Sequence, residues 1–164
     1  MLTQEQVRQL LVETKAVLEG HFLLTSGLHS PLYVEKFNVL QHPEYTEKLC
    51  KELAERFKNK GAQGKMTLRR GFCIKPGERV LIVEDIVTTG GSVQEVVDVV
   101  KAAGGEIVGV GLLVDRSGGK AEFGVPKEDV QALLNLEVPT YEPETCPLCK
   151  EGVPMTERGS HHLK

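Results

Sequence analysis

The segment from Arg79 to Ser92 constrains the fold more than any other part of the chain, because a strand pattern, two acids and a glycine-rich loop follow one another without a break. Val80 to Val83 is a short, continuous apolar run rich in β-branched residues, which is typical of a parallel strand covered on both faces. The next apolar residues repeat at helical spacing and form one stripe: Val93, Val96, Val97 and Val100. The segment therefore predicts a strand, a loop and a helix of an α/β domain.

The loop itself, Thr88 to Ser92, predicts a binding site for phosphate and sugar. Its two glycines allow the backbone to approach an anion closely, and free N–H groups near a helix N-terminus attract phosphate. The acids Glu84 and Asp85 would repel phosphate, so we expect them to accept hydrogen bonds from sugar hydroxyls or to help hold a hydrated metal ion. The alternative is an ordinary turn with solvated acids.

This segment resembles the signature of the type I phosphoribosyltransferases, in which two acids follow an apolar strand and precede Thr-Thr-Gly-Gly-Ser or a close variant. The resemblance implies that the acids contact the ribose hydroxyls of 5-phosphoribosyl-1-pyrophosphate, the donor, and that the loop binds its 5-phosphate. The donor-binding residues that it implies are Glu84, Asp85, Ile86, Val87, Thr88, Thr89, Gly90, Gly91 and Ser92.

Three further segments are similar to orotate phosphoribosyltransferases. Gly20 to Tyr33 resembles their N-terminal segment, and Tyr141 to Gly152 resembles the tail of a compact bacterial and archaeal branch. Arg116 follows a predicted core strand at the position where that family places an orotate-binding arginine. The resemblance implies that Arg116 and Thr88 contact orotate, whose carboxylate and imide edge suit a planar, permanently charged guanidinium.

Alternatives stay open for two of the basic residues. Arg116 could instead be a surface arginine paired with Asp115. Lys36, after Tyr33-Val34-Glu35, could be either a phosphate contact or a solvated strand end.

The reaction that the resemblance implies transfers the phosphoribosyl group to N1 of orotate, giving orotidine 5′-monophosphate and pyrophosphate in pyrimidine biosynthesis. It implies Mg²⁺ as cofactor, no protein nucleophile, and a homodimer in which a mobile loop closes over the neighbouring active site. Two other classes stay open. A purine-type phosphoribosyltransferase would need a hydrophobic base pocket in place of Arg116, and a non-catalytic regulator would only bind the donor or a nucleotide.

The chain departs from the family pattern near Gln63 to Lys65. Between the predicted helix Pro43 to Lys58 and the next strand, the family has a strand-helix-strand unit, which takes roughly 30 residues. Only a handful are present here. Either the sequence omits an internal segment or the protein is genuinely shortened; we favour the first, because both sides of the joint are locally consistent.

The basic residues after this joint are weak candidates for the mobile catalytic loop, and a charged hairpin end explains them equally well: Lys65, Arg69 and Arg70. The family's catalytic loop lysine cannot be matched to a residue here.

The predicted fold class is α/β, a type I phosphoribosyltransferase fold whose central, mainly parallel sheet is flanked by helices. We expect one domain, with residues 1–36 as an N-terminal hood, 37–145 as the core with the deletion near 63–65, and 146–164 as a tail. Thr3 should cap a first helix whose apolar face runs to Leu18 before Gly20 ends it. Strands are expected at Phe72 to Ile74, Arg79 to Val83 and Ile107 to Val114, with a brief helix or strand at Val130 to Leu136.

Composition limits the partners and the location. The net charge of −3 gives no electrostatic reason to expect nucleic acid. No run of 18 apolar residues and no signal-peptide core occur, so we expect no membrane partner, a cytoplasmic protein and reduced cysteines.

One cysteine pair allows several roles. Cys146-Pro-Leu-Cys149 together with His161-His162 could supply four zinc ligands. A reversible disulfide and two structural thiols in a tail turn are the alternatives.

Overall fold

The structure, a computed structural model, describes residues 1–24, 26–60 and 74–157, which form two three-stranded sheets. The N-terminal sheet has the order β2-β1-β6, with β1 at Val17–Leu23, β2 at His29–Val34 and β6 at Met155–Glu157. The core sheet has the order β3-β4-β5. Its strands are β3 at Arg79–Val87, β4 at Glu106–Asp115 and β5 at Val130–Asn135.

Helices pack on both faces of the core sheet. The described α-helices are α1 at Gln4–Glu13, α2 at Phe37–Leu40, α3 at Pro43–Phe57, α4 at Gly91–Ala102 and α5 at Pro147–Lys150. Short 3₁₀ turns occupy Lys58–Lys60 and Lys127–Asp129. Within the described part of the chain, no helix has the length and apolarity needed to cross a membrane.

The core sheet is parallel throughout, as the sequence predicts for this region. One face packs against α4 through Val93, Val97 and Val100, which the predicted stripe contains. The other face packs against α1 and α3, with Leu53 and Phe57 of α3 buried. This arrangement confirms an α/β domain whose parallel sheet has helices on both faces.

Close packing of α3 on the sheet depends on a glycine in β4. A Cβ atom on Gly109 would lie 2.5 Å from Cε1 of Phe57, too close for any side chain. Helix α3 itself begins at Pro43, as predicted, and its Leu49 is also buried.

The first helix is shorter than the sequence predicts. The capping box of Thr3 and Gln6 is confirmed, but α1 ends at Glu13, and Val17 and Leu18 lie in β1. The hydroxyl of Thr14 donates to the carbonyl oxygen of Leu10 at 3.0 Å, and Lys15 adopts a φ of 55°, which ends the helix. Apolar residues at this spacing fit a strand as well as a helix, and pairing with β2 decides between them.

Strand β3 is longer and more exposed than predicted. It runs to Val87 rather than Val83, so both acids lie inside the strand. Val83 is 38% exposed, which corrects the expectation that both faces are covered. Among the described residues β3 pairs only with β4, so β3 forms one edge of the core sheet.

Other predicted elements are settled or fall outside the described residues. Pro76 and Gly77 form a turn before β3, closed by the hydrogen bond from the Glu78 amide to the Lys75 carbonyl at 2.9 Å, and Val130–Asn135 is a strand. The joint near Gln63, most of the strand expected at Phe72 to Ile74, and three sets of basic residues lie outside the described residues. Those sets are Lys65, Arg69 with Arg70, and His161 with His162.

The segment from residue 141 to 157 packs against the N-terminal sheet. Tyr141 and His29 exchange backbone hydrogen bonds at 2.8 and 2.9 Å. Strand β6 then pairs in parallel with β1, with Met155 opposite His21. The described part of the predicted tail therefore completes a sheet whose other two strands lie near the N-terminus.

Candidate active site

The strand ends of the core sheet bring Thr88 and Arg116 together. Val87 and Asp115 are paired at the carboxyl ends of β3 and β4, and the Arg116 amide donates to the Val87 carbonyl at 2.8 Å. Ligands of open parallel sheets bind beyond this edge. The predicted donor loop and the predicted orotate arginine are therefore neighbours in space, although they are far apart in the sequence.

The loop predicted to bind the donor exposes several hydroxyl groups to solvent around a buried glycine. Thr88, Thr89 and Ser92 are exposed, and Gly90 is buried. Helix α4 begins at Gly91, and the first N–H groups of a helix have no acceptor within it. These N–H groups, the hydroxyls and the positive end of the helix dipole together suit a phosphate group.

Gly90 is required for two independent reasons. Its φ of 87° lies in the left-handed region, which disfavours side chains. A Cβ atom there would also lie 2.6 Å from Cε1 of Phe123, a side chain that is only 2% exposed. The Phe123 ring thus packs directly against Gly90 of the loop. The sequence does not predict this contact, because no local pattern connects Phe123 with the loop.

The acid pair is joined by a lysine from the N-terminal part of the chain. The Lys36 ammonium lies 2.9 Å from Oδ2 of Asp85. This hydrogen bond to Asp85 raises the pKa of Lys36 above its ordinary value, so the lysine stays charged. Of the two roles that the sequence left open for Lys36, neither describes this contact.

The second acid, Glu84, is in a different state. Burial and the neighbouring Asp85 raise the pKa of Glu84, while the Asp85 amide donates to its Oε1 at 3.2 Å. Glu84 therefore takes up a proton at a higher pH than an ordinary glutamate. The pair consists of one carboxylate that is ion-paired and one that resists ionisation.

Arg116 has an unused donor. Its Nε atom is buried and has no hydrogen-bond partner, and burial lowers the pKa of the guanidinium. The expected alternative, a pair with Asp115, is wrong. The Asp115 carboxylate instead accepts from the amides of Ser117 at 2.7 Å and Gly119 at 3.0 Å. A buried N–H without an acceptor costs free energy, which a bound ligand can recover.

Comparisons with known proteins agree on the family. A model of the phosphoribosyl transferase domain family matches residues 33–129. The orotate phosphoribosyltransferase of Desulforamulus reducens is 47% identical, over 99% of this chain and 100% of its own length. That of Pelotomaculum thermopropionicum is 44% identical, with the same coverage.

Two further comparisons concern the fold and the length. The crystal structure of orotate phosphoribosyltransferase from Aeropyrum pernix superposes with a TM-score of 0.62 at 20% identity, covering 80% of this chain and 94% of that one. The alignment with the Desulforamulus reducens protein spans 193 positions, whereas this chain has 164 residues, so at least 29 positions have no counterpart here. On the strength of the domain match and of relatives that are more than 40% identical, this chain belongs to the orotate phosphoribosyltransferase family.

Proposed function

We propose that this chain transfers the phosphoribosyl group of 5-phosphoribosyl-1-pyrophosphate to N1 of orotate. Two observations support this most: the Nε of Arg116 is buried without a partner, and the backbone of Arg116 is hydrogen-bonded to Val87, directly before the donor loop. A phosphorylated donor requires an anion-binding loop, and an acidic base requires a guanidinium that is free to bind its carboxylate.

In the proposed complex, the donor occupies the loop and the acid pair. The 5-phosphate accepts hydrogen bonds from the loop from Thr88 to Ser92, and the ribose hydroxyls donate to Glu84 and Asp85. Ile86 and Val87 hold the acids and the loop in register through their strand pairing with β4. The exposed hydroxyls of the loop favour this arrangement, since they add donors around the phosphate.

The base lies against Arg116 and Thr88. The orotate carboxylate supplies the acceptor that the Arg116 Nε lacks, and a guanidinium can bind a carboxylate through two parallel hydrogen bonds. An unmodified purine base has no carboxylate. A purine offers only neutral acceptors to this charged donor, so the carboxylate of orotate is the better partner for it.

Catalysis then consists of positioning and electrostatic stabilisation. The transition state has oxocarbenium character at the ribose, so the acids act by orienting the sugar, with no covalent intermediate on the protein. Asp85 is paired with Lys36, and burial raises the pKa of Glu84, so these two acids would suit a hydrated Mg²⁺ carried by the donor better than direct ligation by the protein. Such an ion would neutralise charge on the departing pyrophosphate.

We also propose that a strand-helix-strand unit is missing near Gln63 to Lys65. The 29 or more alignment positions without a counterpart match the size of such a unit. In the described part of the chain, the outer side of β3 has no neighbouring strand, and Val83 is 38% exposed there. Lys65, Arg69 and Arg70, which lie outside the described residues, stay weak candidates for catalysis, and we expect a homodimer with shared active sites.

A donor-binding protein without activity is the second candidate, and the missing unit favours it. The test is to incubate the chain with orotate, donor and Mg²⁺, to follow the loss of orotate absorbance, and to repeat the assay with adenine. Turnover of orotate supports the proposal, and turnover of adenine alone contradicts it. Calorimetric donor binding without any turnover supports the second candidate, and reinserting the relatives' intervening segment should then restore activity.

A further inference from the structure

Four side chains from three separate segments converge outside the active site. His21 lies on β1, His29 begins β2, Cys146 directly precedes the short helix α5, and Cys149 lies within it. Their potential ligand atoms all lie within 4.8 Å of one another. His21, His29 and Cys146 are buried, with exposures of 3%, 5% and 0%, so their grouping is part of the packed interior.

The distances within this group resemble those of a tetrahedral site. Nε2 of His21 lies 2.9 Å from Nδ1 of His29, and Sγ of Cys149 lies 3.2 Å from the same Nδ1. Both sulfur atoms lie 3.7 Å from Nε2 of His21. Nitrogen and sulfur ligands of one tetrahedral zinc ion are roughly 3.3–3.8 Å apart, given usual zinc–ligand lengths. Small adjustments would therefore accommodate an ion.

The orientation of His21 is fixed for coordination. Its Nδ1 lies 2.9 Å from the carbonyl oxygen of Val153, which can only accept a hydrogen bond. The proton of the neutral ring is therefore on Nδ1, and the lone pair of Nε2 faces the two sulfur atoms and His29. Metal-binding histidines usually donate their other N–H to a carbonyl or carboxylate in this way.

The described part of the C-terminal segment buries few side chains. Of residues 137–157, all of which the structure describes, Cys146 alone is buried. Backbone hydrogen bonds of Tyr141 and of β6 hold the segment on the N-terminal sheet. A segment with so little apolar burial gains little from the hydrophobic effect, and a structural metal is a usual substitute.

We propose that His21, His29, Cys146 and Cys149 bind one zinc ion, which fastens the C-terminal segment to the N-terminal sheet. Two thiolates and two imidazoles are a donor set that suits zinc, and four protein ligands leave no open position for catalysis. The site is therefore structural. It also replaces the ligand set that the sequence suggested, because His21 and His29 take the places of His161 and His162.

The first test measures metal content. The full chain, purified without chelators, should contain about one zinc ion per chain when its metal content is measured by elemental mass spectrometry. Substituting cobalt should give the thiolate-to-cobalt charge-transfer absorption and the intense visible bands of a tetrahedral site. Chelation in the absence of substrates should lower the unfolding midpoint of the wild-type protein. A metal-free protein that contains a Cys146–Cys149 disulfide would overturn the proposal.

Variants identify the ligands. Cys149→Ser and His29→Asn should each weaken metal binding by at least about tenfold, and cobalt spectra report the lost ligand directly even in a destabilised chain. Two controls should keep full zinc content: Cys50→Ser, which removes an exposed thiol on α3, and the double change of His161 and His162 to Ala. Loss of zinc in this double variant, with none in His29→Asn, would also overturn the assignment.

Discussion

The donor edge and the tail anchor differ in how the chain assembles them. The donor edge comprises Glu84 to Ser92 and Arg116; most of it is one continuous segment that a strand and a helix hold in place. The tail anchor comprises His21, His29, Cys146 and Cys149, whose partners are up to 128 residues apart. A continuous motif specifies its own geometry through the backbone. A dispersed cluster needs the completed fold.

The two regions should also fail differently. Changes at the donor edge should weaken substrate binding and leave zinc content unchanged, whereas changes at the tail anchor should remove zinc first. For variants at the donor edge, calorimetry measures substrate binding, and zinc content measured in the same samples tests whether the two regions are independent.

The largest effect is expected for Gly90→Ala. A left-handed φ and the clash with Phe123 together cost about 1–3 kcal/mol, so donor affinity should fall by up to about 100-fold. The matched control is Gly77→Ala, where φ is 77° and nothing lies within 4 Å of the new Cβ. That control should lose stability without losing donor affinity. Equal donor affinity in Gly90→Ala and the wild type would show that the loop does not bind the phosphate.

Arg116→Ala should weaken orotate binding by about 30-fold and leave the donor unaffected, because a charged hydrogen-bond donor contributes about 1.5–3 kcal/mol. Arg116→Lys should recover only part of the loss, since an ammonium cannot form the bidentate contact. Lys120→Ala is the control, because Lys120 is an exposed base of the same loop that pairs with Glu137 at 2.8 Å. Equal losses of orotate and donor affinity would mean that Arg116 does not bind the base.

Much of the fold could be predicted because its signals are local. The apolar stripe of α4, the start of α3 at Pro43 and the capping box of Thr3 depend on neighbours within a few residues. The end of α1 could not be predicted in the same way. Val17 and Leu18 fit the helical and the strand spacing of apolar residues equally well, and only pairing with β2, which lies later in the chain, favours the strand.

The site divides along the same line. The loop and its two acids could be identified from the order of residues along one continuous segment, and the family resemblance implied Arg116. Phe123 under Gly90 and Lys36 on Asp85 were not predicted, because each contact joins distant segments. The zinc hypothesis included the two cysteines and the histidines that lie near them in the sequence, whereas the cluster in the structure contains the histidines that β1 and β2 bring to the cysteines.

The acid pair predicts that the substitution Glu84→Gln has opposite effects on stability and on donor affinity. Because the pKa of Glu84 is raised, ionisation of Glu84 destabilises the ligand-free protein. This loss of stability develops as the pH rises through that pKa and is absent at lower pH. Ionised Glu84 is also the better acceptor for ribose hydroxyls, so donor affinity should fall by about tenfold as pH decreases through the same pKa.

At pH values above that raised pKa, Glu84→Gln should therefore be more stable than the wild type and bind the donor more weakly, and it should lose most of the pH dependence of binding. Urea unfolding and calorimetry over a pH series measure both properties. A pH dependence that persists unchanged in Glu84→Gln would assign it to another group.

The smallest effect is expected for Lys36→Met. The pair with Asp85 is partly exposed, with side-chain exposures of 41% and 24%, and such pairs contribute about 0–1 kcal/mol. Donor affinity should therefore change by less than about fivefold, and less again at high salt, which screens exposed charges. Lys51→Met, which removes the exposed pair with Glu47 on α3, controls for the lost charge. A loss of about 100-fold would instead make Lys36 a direct ligand of a donor phosphate, since only a contact with the substrate itself is worth that much.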